Sequence, residues 1–348
     1  MKFSTLRRRT RSLTVGAVAA MMVAALAACS GPGSGTGGSG GTLVIAEPAH
    51  SLGYLPLYVA RHEGFFDEAG PGVEIITLQG GGAHTNAVLT GQAWGFIGGP
   101  EHNAFAAARG GGTALKSIVN VVNRGNVYLV ADEGQDYTGD LASFLRGKKI
   151  ATGAAGGTPH SITMYLLAQH GLENGKDVTL IESADPSAAL AAIQRDQADI
   201  AVTSEPVLGQ GITQGIWGEP FYNVPLELGP YAYSTINVRE QSLTEDPEAA
   251  KSFIRALRKG LELIQRDPEA AIRIAEAEFP TMDKTVLVET VERAIADELW
   301  EWTGAITPDS VETNLSVVRA AGILEDSADP VGFDDVVDIG LWEEVTNE

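Results

Sequence analysis

The feature that most constrains the fold is an alternation of short β-branched or aromatic runs with helical patterns, which begins at Thr42. This alternation is typical of α/β proteins, in which helices cover a mostly parallel sheet. After Val238 the pattern becomes mostly helical. The predicted strands are Leu43–Ala46, Val73–Leu78, Trp94–Ile97, Ser117–Val122, Val127–Val130, Lys149–Ala151, Val178–Ile181, Ile200–Val202 and Thr235–Val238. We therefore predict an α/β protein with a helical C-terminal part.

Two predicted helices lie close to the candidate site. Pro56 suits the first turn of a helix that runs to about Phe66, with apolar residues at helical spacing. Thr158 is predicted to be the N-cap of a second helix, which stops at Gly171.

The first 28 residues have the pattern of an export signal. A basic start is followed by an apolar stretch from Leu13 to Ala28, and roughly 16 residues at ~1.5 Å each are too short to span a hydrocarbon layer of ~30 Å. The ending Leu26-Ala27-Ala28-Cys29 resembles the lipobox of bacterial lipoproteins. The resemblance implies that Cys29 becomes the lipidated first residue of the mature chain; the alternative is a small-residue cleavage site with a chance cysteine.

Residues 29–41 are predicted to be a Gly/Ser-rich tether between this anchor and the folded part. The protein is then expected on the extracytoplasmic face of the cell membrane. No later apolar run approaches the length of a membrane span. Because Cys29 is the one cysteine in the chain, disulfide bonds are excluded.

Charge and length narrow the function further. The formal net charge is −21, and removal of the basic head makes it still more negative, so nucleic acid is not an expected partner. With 348 residues, 44% of them hydrophobic, the chain is long enough to form two lobes.

A series of short motifs carries a resemblance to a known family. The segment Gly53-Tyr54-Leu55-Pro56-Leu57-Tyr58-Val59-Ala60, with Gly64-Phe65-Phe66 after it, resembles the opening of the NMT1/THI5-like substrate-binding proteins of nitrate/sulfonate/taurine and thiamine-precursor importers. Later motifs follow in the order and spacing of that family: Gly80-Gly81-Gly82, Leu89-Thr90-Gly91-Gln92-Ala93, Leu145-Arg146-Gly147-Lys148-Lys149-Ile150-Ala151, Gly157-Thr158-Pro159-His160, Ile193-Gln194-Arg195-Asp196-Gln197-Ala198-Asp199-Ile200 and Glu205-Pro206.

The resemblance implies a type II periplasmic-binding-protein fold, in which two α/β lobes are joined by two crossing segments and the ligand binds between them. Lobe I is expected to comprise residues 42–124 and 236–348, and lobe II residues 125–235. It also implies a binding protein of an ABC importer, such as an SsuA-like protein, whose partners are a permease and its ATPase. We expect a monomer without a cofactor.

The ligand-binding residues are expected in loops beyond the carboxyl ends of the strands and at the crossings. The candidates are His50, Ser51, Tyr54, Gly82, His84, Glu101, His102, Asn123, Arg124, Gly157, Thr158, His160, Ser161, Glu205 and Tyr231. Among them, the turn at Gly157 and Thr158 has convergent N–H groups before a helix, an arrangement that favours an electronegative ligand group.

The sequence leaves the class of ligand open. Glu101 and Glu205 disfavour a bare anion, because carboxylates in a closed cleft repel it. Together with Tyr54 and Tyr231 they suit a nitrogen heteroaromatic such as a thiamine-pathway pyrimidine. Arg124 favours a carboxylate or sulfonate instead.

Two alternatives concern the kind of protein. A metal site built from His50, His84, His102 and Glu101 has suitable ligand types but lacks close spacing along the chain. An anchored pyrimidine-synthase-like enzyme on the same fold is a second alternative, but that class resembles a pattern with clustered cysteines, which Cys29 alone cannot supply. We therefore predict a binding protein and not an enzyme.

Overall fold

The computed structural model describes residues 41–79, 82–108, 114–132, 137–155, 157–183, 185, 187–325 and 330–348. The predicted signal segment, Cys29 and the tether up to residue 40 lie outside this part. So do the glycines at 80, 81 and 156.

The described residues form ten strands. They are β1 Leu43–Glu47, β2 Val73–Thr77, β3 Gly95–Gly98, β4 Leu115–Val122, β5 Tyr128–Ala131, β6 Lys149–Gly153, β7 Thr179–Ser183, β8 Ile200–Thr203, β9 Tyr222–Asn223 and β10 Ser234–Arg239. All nine predicted strands are present within two residues of their expected ends. The two-residue strand β9 was not predicted, because it is too short to carry a pattern.

The helices of the described part follow the strands in the expected alternation and then dominate the C-terminal region. They are α1 Leu55–His62, α2 Phe65–Ala69, α3 Ala83–Leu89, α4 Glu101–Ala108, α5 Leu141–Leu145, α6 Thr158–Gln169, α7 Ala188–Gln194, α8 Val207–Thr213, α9 Val224–Leu228, α10 Glu240–Glu245, α11 Pro247–Arg266, α12 Pro268–Glu278, α13 Lys284–Ala296, α14 Pro308–Ala320, α15 Phe333–Val336 and α16 Gly340–Thr346. Among these residues we find no helix with the length and apolar character that a membrane crossing requires.

The strands form two five-stranded sheets. The first has the order β2-β1-β3-β10-β4 and the second the order β7-β6-β8-β5-β9. Four neighbouring pairs are parallel, β1 with β2 and β3, and β6 with β7 and β8. The other four are antiparallel, because β10 runs antiparallel to β3 and β4, and β5 runs antiparallel to β8 and β9. The strands antiparallel to their neighbours, β10 and β5, each follow a chain segment that connects one sheet to the other. The predicted α/β class with a helical C-terminal part is confirmed.

Two chain segments connect the sheets and are hydrogen-bonded to each other. The segment after β4 contains Asn123, whose carbonyl accepts from the Tyr231 N–H at 2.9 Å. The second segment, between β9 and β10, returns the chain to the first sheet and contains Tyr231 and Tyr233. In this returning segment, the Tyr233 N–H donates to the Val122 carbonyl at 3.0 Å. The Asn123 N–H in turn donates to the Leu299 carbonyl, just after α13, at 2.8 Å.

Two of the predicted helix boundaries are wrong. The helix that begins near Pro56 ends at His62, because Gly64 adopts a left-handed φ of 73° and starts the separate helix α2. Thr158 is the first residue of α6 and Gly157 occupies the N-cap without a side-chain cap. The Thr158 side chain instead interacts with the Tyr233 hydroxyl of the returning segment.

The C-terminal helices complete the core of the first sheet. Helix α11 is the longest of the described helices at 20 residues, and an apolar face that includes Phe253, Leu257, Leu261 and Ile264 is buried. Its Asp246 caps the N-terminus by accepting from the Ala249 N–H at 3.1 Å. Helices α13 and α14 lie against helices of the second sheet, α8 and α6 respectively. They therefore connect the C-terminal helical part with the second sheet's helices.

Candidate ligand-binding site

A cavity of about 310 Å³ opens at the carboxyl ends of β6, β7 and β8. These three strands are parallel neighbours, so their following loops converge at one edge of the second sheet. The cavity is lined by Thr152, Gly153, Ala154, Gly157, Pro159, Ser183, Asp185, Ala189, Val202, Thr203 and Ser204. The described part of its lining is rich in hydroxyl groups and contains no lysine or arginine.

Two polar groups at this edge are buried without a partner among the described residues. Thr203 lines the cavity and is 5% exposed, and its hydroxyl oxygen is buried. In the first turn of α6, Nδ1 of His160 also lacks a partner, while its Nε2 lies 3.5 Å from Glu182 Oε1. Because an unsatisfied buried polar group is costly, such groups are expected where a ligand supplies the missing hydrogen bond.

The start of α6 adjoins the cavity, and its role as an anion-attracting turn stays a prediction. Gly157 is at the N-cap and lines the cavity, and Ser161 donates its hydroxyl back to the Gly157 carbonyl at 3.1 Å. The helix has 12 residues, long enough to develop partial positive charge at its N-terminus. Thr158, between these groups, interacts with Tyr233.

At the edge of the first sheet, Glu101 begins α4 directly after β3. The residue is 8% exposed, and its Oε2 accepts from the Asn314 Nδ2 of α14 at 2.6 Å. Burial raises the pKa of Glu101 to about 7, although the Asn314 hydrogen bond opposes the shift. Burial raises the pKa of Tyr54, Tyr231 and Tyr233, and the charge of Glu101 adds to each shift, so Glu101 lies within electrostatic range of these three tyrosines.

His102 adjoins Glu101, and His84 packs against His102. The rings of His84 and His102 are T-shaped with centroids 4.9 Å apart, and His102 Nε2 lies 3.7 Å from Glu101 Oε1. Both ring nitrogens of His84 are buried without a partner in the described part, whereas His102 Nδ1 is 3.2 Å from the Thr85 hydroxyl. Burial lowers the pKa of each histidine to about 4, so both rings are neutral at pH 7. Gly82, the N-cap of α3, turns the chain toward this cluster with a φ of 84°.

The tyrosines of the returning segment link the two edges. Tyr231 and Tyr233 are T-shaped with centroids 5.7 Å apart, and both are close enough to Glu101 for its charge to raise their pKa. Tyr233 also interacts with Thr158, which follows the cavity-lining Gly157, so the aromatic pair connects the surroundings of Glu101 with the start of α6. Of the predicted site residues, the structure groups Tyr54, His102 and Tyr231 around Glu101, with His84 against His102. The described lining of the cavity includes Gly157 and none of these five residues.

His50 and Ser51 belong to a different hydrogen-bond network. His50 Nδ1 lies 3.1 Å from Glu47 Oε1, and its ring stacks on Phe279 with centroids 4.4 Å apart. The Ser51 N–H donates to the Tyr58 hydroxyl at 3.3 Å. Their place in a ligand site stays a prediction.

The predicted polar residues of the crossing region are held by partners within the protein. Arg124 forms an ion pair with Glu298, and the side chain of Asn123 accepts from Asn120 at 2.8 Å. Glu205 accepts from the Gly209 N–H at 3.0 Å and from Arg293 at 3.1 Å. Burial raises the pKa of Glu205, and Arg293 partly opposes this. A ligand would have to compete with these partners.

Several residues at the site were not among the candidates. Thr152 and Thr203 are in the last two residues of their strands, so the rule that ligands bind at carboxyl ends could have found them. Asn314 could not have been found in this way, because it lies 213 residues from its partner Glu101. In the described part, no group of three or more His, Cys, Asp or Glu side chains is arranged to hold a metal ion.

The comparison with protein families decides the chain's relationships. Residues 52–271 match the model of the family described as NMT1/THI5 like. The chain belongs to the NMT1/THI5-like family. Within the curated proteins, this family member is 26% identical over 254 residues to YtlA of Bacillus subtilis, whose name describes it as a binding protein. The match covers 72% of this chain and 74% of YtlA.

Solved structures give the fold of this family member. The periplasmic nitrate-binding protein NrtA from Synechocystis has a TM-score of 0.65 at 16% identity, covering 88% of each chain. The alkanesulfonate-binding protein SsuA from Xanthomonas axonopodis, bound to MOPS, has a TM-score of 0.60 at 16% identity, covering 83% of this chain and 96% of SsuA. The periplasmic-binding-protein fold is therefore confirmed. The named relatives are binding proteins rather than enzymes, as the sequence predicts for this chain.

Proposed function

We propose that the chain is an extracytoplasmic solute-binding lipoprotein of an ABC importer, which captures a small polar organic solute of the nitrate/sulfonate/taurine-like class between two lobes. Lobe I comprises residues 42–124 and 236–348, and lobe II residues 125–235. The observation that carries the proposal is the hydroxyl-lined cavity of about 310 Å³ at Gly157 and Thr203. Its volume lies at the lower end of the range for small-molecule sites.

The solute is proposed to contact both lobes. Gly157, Thr158, His160 and Ser161 supply the side of lobe II, and the cluster around Glu101 supplies the side of lobe I. Contacts from both lobes favour a closed state, which a permease recognises. The family membership and the binding components NrtA and SsuA support this mechanism.

The function is tested by a thermal-shift panel on the full chain in detergent. The panel contains nitrate, taurine, alkyl sulfonates, aromatic carboxylates, thiamine-pathway pyrimidines and divalent metals. A true ligand at a hundredfold excess over Kd is expected to stabilise the protein by about 2.7 kcal/mol. Recovery of the solute unchanged after incubation distinguishes binding from turnover. If no organic or inorganic anion, amine or pyrimidine stabilises the protein, the proposal is contradicted.

A variant localises the site. Thr203→Val removes the unpartnered hydroxyl at nearly constant size and is expected to weaken solute binding by about fivefold to tenfold, which is the value of one hydrogen bond. Thr244→Val, at an exposed position of α10, is the matched control and should bind normally. Equal affinities of the two variants would contradict the location.

The anchor is proposed to be Cys29. In a bacterial host, Cys29→Ser should move the protein from the membrane fraction to the soluble extracytoplasmic fraction, because a single cysteine is available for lipidation. Wild-type protein is the control, and membrane association that persists in Cys29→Ser contradicts the anchor without touching the binding function.

A further inference from the structure

We propose that Glu101 is a specificity-determining residue, which together with His84 and His102 receives a nitrogen-bearing, hydrogen-bond-donating group of the solute, such as an amine or amidine. The inference rests on the proposed function, since it takes the solute to lie beside the Glu101 cluster. It goes further by assigning one end of the solute to a chemical class.

The carboxyl group of Glu101 has hydrogen-bond acceptors that its neighbours leave unused. One oxygen, Oε2, accepts from Asn314 at 2.6 Å, while the other, Oε1, is 3.7 Å from His102 Nε2, which is longer than a hydrogen bond. A carboxylate can accept several hydrogen bonds. Glu101 therefore keeps accepting capacity that these two neighbours do not use.

The histidine pair His84 and His102 is neutral, and His84 is buried. His84 is 5% exposed, and neither of its ring nitrogens has a partner among the described residues. A neutral imidazole offers one donor and one acceptor, so a buried ring of this kind is satisfied by a ligand that carries both. Because His84 and His102 are neutral at pH 7, they supply no positive charge for an anion.

The described surroundings of the Glu101 carboxylate provide little positive charge. The titratable groups around Glu101 are His102 from α4 and the three tyrosines Tyr54, Tyr231 and Tyr233. His84 from α3 lies behind them in contact with the His102 ring. Among the described residues, no lysine or arginine contributes to the shift of the Glu101 pKa. A cationic nitrogen supplied by the solute would neutralise this carboxylate, whereas an anionic group would be repelled.

This arrangement links capture to protons. The pKa of Glu101 is near 7 in the free protein, and a cationic ligand favours its ionised form. Affinity for such a ligand should therefore rise by about tenfold from pH 6 to pH 8, with proton release on binding. A ligand that places an anionic group against Glu101 should show the opposite trend, because it requires the protonated carboxyl.

The experiment is isothermal titration calorimetry on the full chain in detergent at pH 6 and pH 8. Two matched pairs of probes are used. Taurine differs from ethanesulfonate by its amino group, and benzamidine differs from benzoate in charge at similar shape. We expect tighter binding of the nitrogen-bearing member of at least one pair and a rise in its affinity with pH. Glu101→Gln should weaken that binding by about tenfold or more at pH 8 and abolish the pH trend.

The matched control is Glu278→Gln. Glu278 is also a carboxylate with a mostly buried side chain, 8% exposed, but it is on α12 and bonds Arg61 and His62. Its variant should keep the wild-type pH trend. Equal or tighter binding of ethanesulfonate and benzoate, or Glu101→Gln with wild-type affinity and pH trend, overturns the inference while leaving the proposed function intact. Failure of all four probes to bind also overturns it, and the wider panel then decides the function separately.

Discussion

At the scale of single residues, the site is marked by polar groups that reduce the stability of the fold. His84 is buried beside the Phe96 ring, with centroids 5.4 Å apart, yet its nitrogens have no partner in the described part. Burial raises the pKa of Glu101 and lowers the pKa of His84, since it disfavours the charged form of each. Such groups are expected where binding, and not stability, has determined the residue.

The first prediction concerns His84→Phe. Its pKa falls from 6.5 to about 4 in the folded state, so its contribution to stability is present above pH 6.5 and is lost as the pH falls toward 4. The variant should be more stable by about 1–3 kcal/mol at pH 7.5, because an unsatisfied polar group is removed, and should lose less stability at pH 5. Urea unfolding at both pH values measures this.

The control for this prediction is His170→Gln, at an exposed position, which should leave the pH profile unchanged. A His84→Phe protein that is less stable at pH 7.5, or as acid-sensitive as wild type, would show that His84 has partners in solution. Weaker solute binding by the more stable variant would support a role in the site.

The second prediction concerns Glu101→Gln in the absence of solute. Because the pKa of Glu101 is raised from 4.5 to about 7, its favourable contribution is present below pH 4.5 and is lost as the pH rises through 7. Glu101→Gln should therefore gain stability relative to wild type between pH 5 and pH 8. Thermal unfolding across this range measures the difference, and a difference that does not change with pH would contradict the shift.

At the scale of elements, the close approach of α1 and α11 depends on a glycine. A Cβ atom at Gly260 would overlap the Pro56 carbonyl oxygen and would lie 3.2 Å from the Ala60 Cβ. Because backbone atoms cannot move aside as a flexible side chain can, the helices would have to separate. The sequence gives no sign of this contact, since a glycine within a helix ordinarily lowers helix propensity.

The third prediction follows for Gly260→Ala. Alanine in a helix interior usually adds up to about 1 kcal/mol, but here the overlap should give a net loss of about 1–3 kcal/mol. Gly218→Ala is the control, because no heavy atom lies within 4 Å of its Cβ position. A Gly260→Ala protein as stable as the control in urea unfolding would contradict the packing of α1 on α11.

At the scale of the whole molecule, Asp297 after α13 joins the C-terminal helices to the second sheet. It is 5% exposed and accepts from the Tyr128 hydroxyl of β5 at 2.7 Å and from Asn223 of β9 at 2.8 Å. Arg293 of α13 bonds Glu205 nearby. These contacts hold α13 against the second sheet on one side of the molecule, while α14 packs on α6.

The fourth prediction is that Asp297→Ala favours an open arrangement of the lobes. The loss of these two hydrogen bonds should increase the radius of gyration measured by small-angle scattering and weaken solute binding, because closure is no longer assisted. Asp309→Ala, at an exposed position in the first turn of α14, is the control. An unchanged radius and affinity for Asp297→Ala would remove this contact from the closure mechanism.

The sequence by itself determined the strands, the order of the elements and the family, because alternating apolar patterns and spaced motifs are properties of neighbouring residues. It could also nominate Glu101 and Gly157, which follow strands directly. Only the tertiary structure decided which candidates meet. Arg124 and Glu205 are paired with residues more than 80 positions away, and Asn314 reaches Glu101 across 213 positions. Side-chain partners over such distances depend on how the helices pack, and local pattern carries no record of that.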